Sequence, residues 1–138
     1  MNRQSNDVPV VRSVVAVAAG FFAVMVLGAA ADVVLGHVSP DAFDAQGHAR
    51  VESTLFIKLA YETLFALLAG YLTARIAVRK PFTHVLVMAG IVLAGRAFIA
   101  VATWDVVPLW FNLGVLVLIV PAALLGAKLS EWRSRAAA

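Results

Sequence analysis

This sequence predicts an all-α, four-helix integral membrane bundle, and three observations predict it. Long apolar runs at residues 11–34, 55–78, 82–103 and 106–129 fill most of the 138 positions. Each is long enough to cross the hydrocarbon core, which takes roughly 20 apolar residues as a helix. Composition agrees: 62% of residues are hydrophobic, only 14% are charged, and the mean hydropathy is +0.92. The third observation is the placing of the cations. Arg3 and Arg12 precede the first run, Arg75, Arg79 and Lys80 separate the second from the third, and Lys128, Arg133 and Arg135 follow the fourth. Those eight are most of the 11 basic residues. Cytoplasmic ends of spans carry the excess of Lys and Arg, so the expected topology is antiparallel, up-down, with both termini cytoplasmic.

The first run is read as a retained helix. Ala29-Ala30-Ala31 resembles a signal cleavage site, but the apolar stretch before it exceeds the about 7–15 residues of a signal core. An outward loop of residues 36–54 follows. It holds His37, Asp41, Asp44 and His48, with Asp44 and His48 four apart. No tight zinc-type spacing is present, so a solvated loop is the expectation and no metal or other cofactor is assigned. The second run carries the row Ala66, Gly70, Ala74, which permits close helix approach. Arg79-Lys80-Pro81 is a short link, with Pro81 suited to the first turn of the third helix because its missing N–H has no partner there. Asp105 is expected to cap the fourth helix, with Pro108 in its first turn. Pro121 should kink that helix. Short links make helices 2 and 3, and helices 3 and 4, expected neighbours.

Aromatic anchors fit the same frame. Trp104 and Trp110 fall at the outer boundary and Trp132 at the inner one, where rings with a polar edge are favoured. Arg75, Arg79, Lys80 and His84 form a basic cytoplasmic edge suited to anionic headgroups. The net charge of +3 follows topology rather than forming a nucleic-acid patch. With no cysteine, thiol catalysis and thiolate metal sites are excluded.

The polar exceptions inside the runs are the candidate functional residues. Ionisable groups in a span are costly and usually meet a partner in the bundle interior. Glu62 lies seven residues inside the outer end of run 2 and Arg96 seven inside the outer end of run 3, a depth of ~10 Å each. They should therefore pair. Asp32 and Lys58, nearer the outer ends, allow a second pair, although Lys58 is also one turn from Glu62. Asn112 enters the fourth helix at a similar depth. Tyr61 is expected to point away from Glu62. Ala66, Ala69 and Thr73 share the Glu62 face, and Ala89, Ala100 and Thr103 the Arg96 face, which leaves room for water or a ligand or permits close packing.

Gly70-Tyr71-Leu72-Thr73-Ala74-Arg75-Ile76-Ala77, His84, Trp104-Asp105 and Pro108-Leu109-Trp110 resemble patterns in small uncharacterised bacterial four-helix membrane proteins. The likeness spans helices 2 to 4. It implies a bacterial inner-membrane location and no particular reaction. Small multidrug resistance transporters are similar in size, but their membrane glutamate is in the first helix. No nucleophile–base set or cofactor motif is present, so the expected role is non-enzymatic. The reading is an accessory or scaffold subunit whose partners are the lipid bilayer and either a second copy or a larger membrane complex. The alternative is a small oligomeric transporter or channel using the cluster around Glu62 and Arg96.

Overall fold

A computed structural model describes residues 4–77 and 79–136, with side chains from Val10 onward. Four helices account for most of them: α1 (Gln4–Val38), α2 (Glu52–Ile76), α3 (Pro81–Ala102) and α4 (Leu109–Ala136). The described residues form no strand beyond an isolated Phe43–Ala49 bridge. All four helices are long and apolar enough to cross a membrane, which fits a multi-pass membrane protein. Arg3 and Val78, the latter the expected end of the second span, lie outside the described residues.

The helix ends differ from expectation for local reasons. α1 runs to Val38, past Gly36, because one glycine weakens a helix without ending it. The His37 Nδ1 lies 2.8 Å from the Val33 carbonyl, one turn back. Ser39-Pro40 then breaks the run, and a 3₁₀ turn follows at Pro40–Ala42. α4 starts later than expected. The Thr103 carbonyl accepts from the N–H groups of Val106 and Val107, winding the connection into turns. The Pro108 carbonyl accepts from Phe111 and Asn112 and so opens the helix. Asp105 is exposed and caps nothing, and Pro108 precedes the first turn instead of lying in it. Pro81 does open α3, after Lys80 in a left-handed conformation (φ 49°). α4 continues through Pro121 as one helix.

The most extensive helix contact is between α2 and α4, which are not neighbours in sequence. Two glycines permit it. A Cβ on Gly70 would collide with the Ala123 backbone, and one on Gly126 with the backbone of Leu67 and Tyr71. In a bilayer, where tails are as apolar as leucine, such backbone-to-backbone approach supplies the packing. Gly20 makes a third approach, lodging α1 against Thr73 and Ala69 of α2. The core follows these lines: Ala69, Thr73, Val85, Met88 and Ala89 are all buried. Gly90 differs, with open space around it.

The loop between α1 and α2 is organised around one carboxylate. Asp44 Oδ1 accepts the backbone N–H groups of Gln46 (3.0 Å) and His48 (2.8 Å). Its Oδ2 meets His48 Nδ1 at 3.3 Å and Arg50 Nε at 3.5 Å. Gly47, at φ +83°, makes the turn possible, since glycine tolerates that region at no steric cost. Ala42 and Ala49 are buried beneath it. The spacing noted for metal binding thus closes a turn instead.

The His48 backbone N–H holds the Asp44 carboxyl below its ordinary value of 3.8, with burial opposing and the Gln46 N–H assisting. A depressed folded pKa contributes stability above the unfolded pKa and loses it as pH falls through the folded value. The loop should therefore hold its form from neutral pH down to about 4 and open progressively below that. Asp44→Ala should open it at neutral pH. Tryptic cleavage after the exposed Arg50 is expected to accelerate severalfold in that variant, and equal cleavage rates would refute the role given to Asp44.

Candidate functional site: a charged cluster at the mouth of an intramembrane cavity

The four charged groups meet at one end of the bundle. Arg96 of α3 pairs with Glu62 of α2 through Nη2 and Oε2. Lys58 of α2 pairs with Asp32 of α1. Lys58 and Glu62 are four apart and share one side of α2, from which Lys58 reaches α1 and Glu62 reaches α3. The close ion-pair partner of Lys58 is Asp32. Glu62 is the more enclosed partner of its pair, its side chain 10% exposed against 30% for Arg96.

Tyr61 belongs to this cluster, against the expectation from sequence. Its hydroxyl donates to Asp32 Oδ1, and Lys58 Nζ lies 3.2 Å from the same hydroxyl. The i, i+3 spacing of Lys58 and Tyr61 was the available signal, since residues three apart share a face. Asp32 thus takes two donors on one oxygen. Asn112 stays apart: it is half-buried early in α4 and makes no side-chain hydrogen bond with the four charges.

A cavity of about 320 Å³ opens beside the cluster. Asp32, Glu62 and Arg96 line its polar end. Phe21, Val24, Met25, Ile91, Val92 and Ile119 line the rest. Beyond Val24 and Val92 the space shrinks to a pinch of about 10 Å³ among Ala66, Ala69, Met88, Ala89 and Ala123, and next to that Gly20 is seated on Thr73. Of the small residues expected beside the charges, Ala66 borders the cavity, while Ala69, Thr73 and Ala89 fill the closed part.

The other expected residues take these positions. Trp110 is stacked on Phe56 (4.8 Å between centroids) at the start of α4, and Trp104 is exposed in the turn before it. Trp132 lies toward the far end of α4 with the Lys128 ammonium 5.4 Å from its ring. There Arg75 Nη1 donates to Ser134 Oγ at 3.3 Å, joining the ends of α2 and α4. Arg79 and Lys80 are exposed, and the His84 Nδ1 is 3.0 Å from the Lys80 carbonyl. Among the described residues no three His, Cys, Asp or Glu side chains come together as a metal set.

No family model, curated protein or solved structure matches this chain. The resemblance drawn on helices 2 to 4 gains no support from these comparisons. Function rests on the geometry alone.

Proposed function

We propose that this chain is a non-enzymatic subunit of the bacterial inner membrane, antiparallel in its span order, with both termini in the cytoplasm. It works by packing against a second copy or a larger membrane complex. One observation carries the reading: α1 is the helix least engaged by its own bundle. Only 11% of its apolar window is buried, against 39% for α4. Val11, Val15, Phe22, Val26 and Val33 are all exposed on it, at intervals of four and seven residues. Those intervals place the five on one face of the helix. The chain leaves little surface outside its helices for other work.

Direct extraction into native-membrane discs tests this. Recovery of a stoichiometric partner or a defined homo-oligomer is expected, and Phe22→Ala together with Val26→Ala should release it. A monomer accompanied only by lipid would rule the proposal out.

The cavity favours a second reading, a small transporter with Glu62 and Arg96 at its binding site. The pinch at Ala69, Met88 and Ala123 weighs against a through-path. Glu62→Gln separates the two: the transporter reading requires a folded variant whose transport or binding signal loses its pH dependence.

A further inference from the structure

The glycines of this protein divide into two kinds. Gly20, Gly70 and Gly126 sit where helices touch, and a Cβ on any of them would strike a neighbour. Gly28 of α1 and Gly95 of α3 are different. Both line the cavity, and a Cβ on either would meet nothing within 4 Å. Their absent side chains leave the space between α1 and α3 unfilled where the cavity lies.

The dimensions of that space are specific. Its α1 wall runs from Phe21 to Asp32, 11 residues apart, or about 16 Å along a helix at ~1.5 Å per residue. Half of a ~30 Å hydrocarbon core is ~15 Å, the depth of one leaflet. From Asp32 inward the cavity is thus about as long as one leaflet is deep. Its rims are open sideways: Met25, Ile91 and Ile99 line it and are 49%, 48% and 45% exposed. The volume falls in the ~300–1,000 Å³ range of small-molecule sites. An apolar slot, one leaflet deep and open laterally, has the shape of a single acyl chain.

The polar end selects the headgroup. A guanidinium has five N–H donors, and Glu62 engages Arg96 through one nitrogen. The remaining donors suit a phosphate, which guanidinium recognises well. Asp32 uses Oδ1 for both Lys58 and Tyr61, and its half-exposed side chain keeps Oδ2 without a hydrogen bond. A purely anionic headgroup would satisfy Arg96 and face two carboxylates. The cluster of Asp32, Lys58, Glu62 and Arg96 sums to zero charge, so a headgroup of both signs leaves it neutral.

We propose that the cavity holds one acyl chain of a zwitterionic ethanolamine phospholipid, with its phosphate on Arg96 and its ammonium on Asp32 and Glu62. The site is lateral, so the lipid enters and leaves within one leaflet. This does not depend on the accessory role proposed above.

The test is lipid retention. The protein is reconstituted in vesicles of equal phosphatidylethanolamine and phosphatidylglycerol, re-extracted in mild detergent, and its bound lipid counted by mass spectrometry. Phosphatidylethanolamine should dominate the retained lipid. Gly28→Leu and Gly95→Leu fill the slot and should each lower retention about tenfold, or 1.4 kcal/mol. Gly90→Leu, also in open space but off the cavity, should leave it unchanged. Retention of phosphatidylglycerol instead, or equal retention by all three variants, overturns the proposal. The wild-type chain gives a second measurement that needs no variant to fold. A phosphatidylethanolamine carrying a diazirine near its chain end should label Met25, Ile91 or Ile119. Labelling confined to exposed residues off the cavity, such as Leu64 or Val117, likewise overturns it.

Discussion

Removing Arg96 alone is expected to destabilise the fold more than removing Arg96 and Glu62 together. Arg96→Leu leaves the Glu62 carboxylate enclosed without its partner, a situation that costs about 3–5 kcal/mol in buried ion pairs. Glu62→Leu strands the guanidinium in the same way, with a smaller loss because Arg96 is the more exposed of the two. The double leucine variant removes both charges and should recover most of the stability, since apolar replacements of buried pairs are often neutral. Thermal unfolding of all four proteins in one detergent gives the coupling. Simple additivity of the two single losses would show that the pair is not a unit. Lys58 and Asp32 should show weaker coupling, because the Asp32 side chain is half-exposed.

The second large effect belongs to the α2–α4 contact. Gly70→Val and Gly126→Val should each cost at least about 1–3 kcal/mol, the usual penalty for overfilling a packed interface. The obstacle here is main chain of the facing helix, which cannot turn aside as a side chain can, so the loss should reach or exceed the upper figure. Gly90→Val supplies the comparison, because that position has open space and tests only the cost of a β-branched residue. If Gly70→Val and Gly90→Val melt together, α2 and α4 are not held by close approach.

Much of this architecture was readable before any coordinates. Four apolar runs long enough to span a bilayer require helices, because only internal hydrogen bonds satisfy a backbone in lipid. The Glu62–Arg96 pair followed from equal depth on consecutive helices, and the Asp32–Lys58 pair from their nearness to the same ends. What escaped the sequence was azimuth. Depth counts residues from an end and tolerates an error of a turn, but facing requires knowing which neighbour a helix leans on. Tyr61 was therefore assigned away from the cluster, although it reaches Asp32. The α2–α4 contact joins helices separated by a whole helix, and chain connectivity gives no hint of it. Gly70 and Gly126 were visible as small residues, yet so were Gly28 and Gly95, and only the fold shows that the first two lie in a helix contact and the second two border unfilled space. Helix ends moved too: α1 runs past Gly36 to Val38, and the turns wound on the Thr103 carbonyl delay the start of α4.

The meeting of Asp32, Lys58, Glu62 and Arg96 at one end of the bundle has an electrical consequence. Moving a unit charge through a full membrane potential involves about 2.3 kcal/mol per 100 mV. Asp32 with Lys58, and Glu62 with Arg96, form two neutral pairs, and a neutral pair displaced as a unit does almost no work against that field. Away from those pairs the helices pack closely at Gly20, Thr73 and Met88. A motion that carries each pair whole is therefore expected to be almost insensitive to the membrane potential.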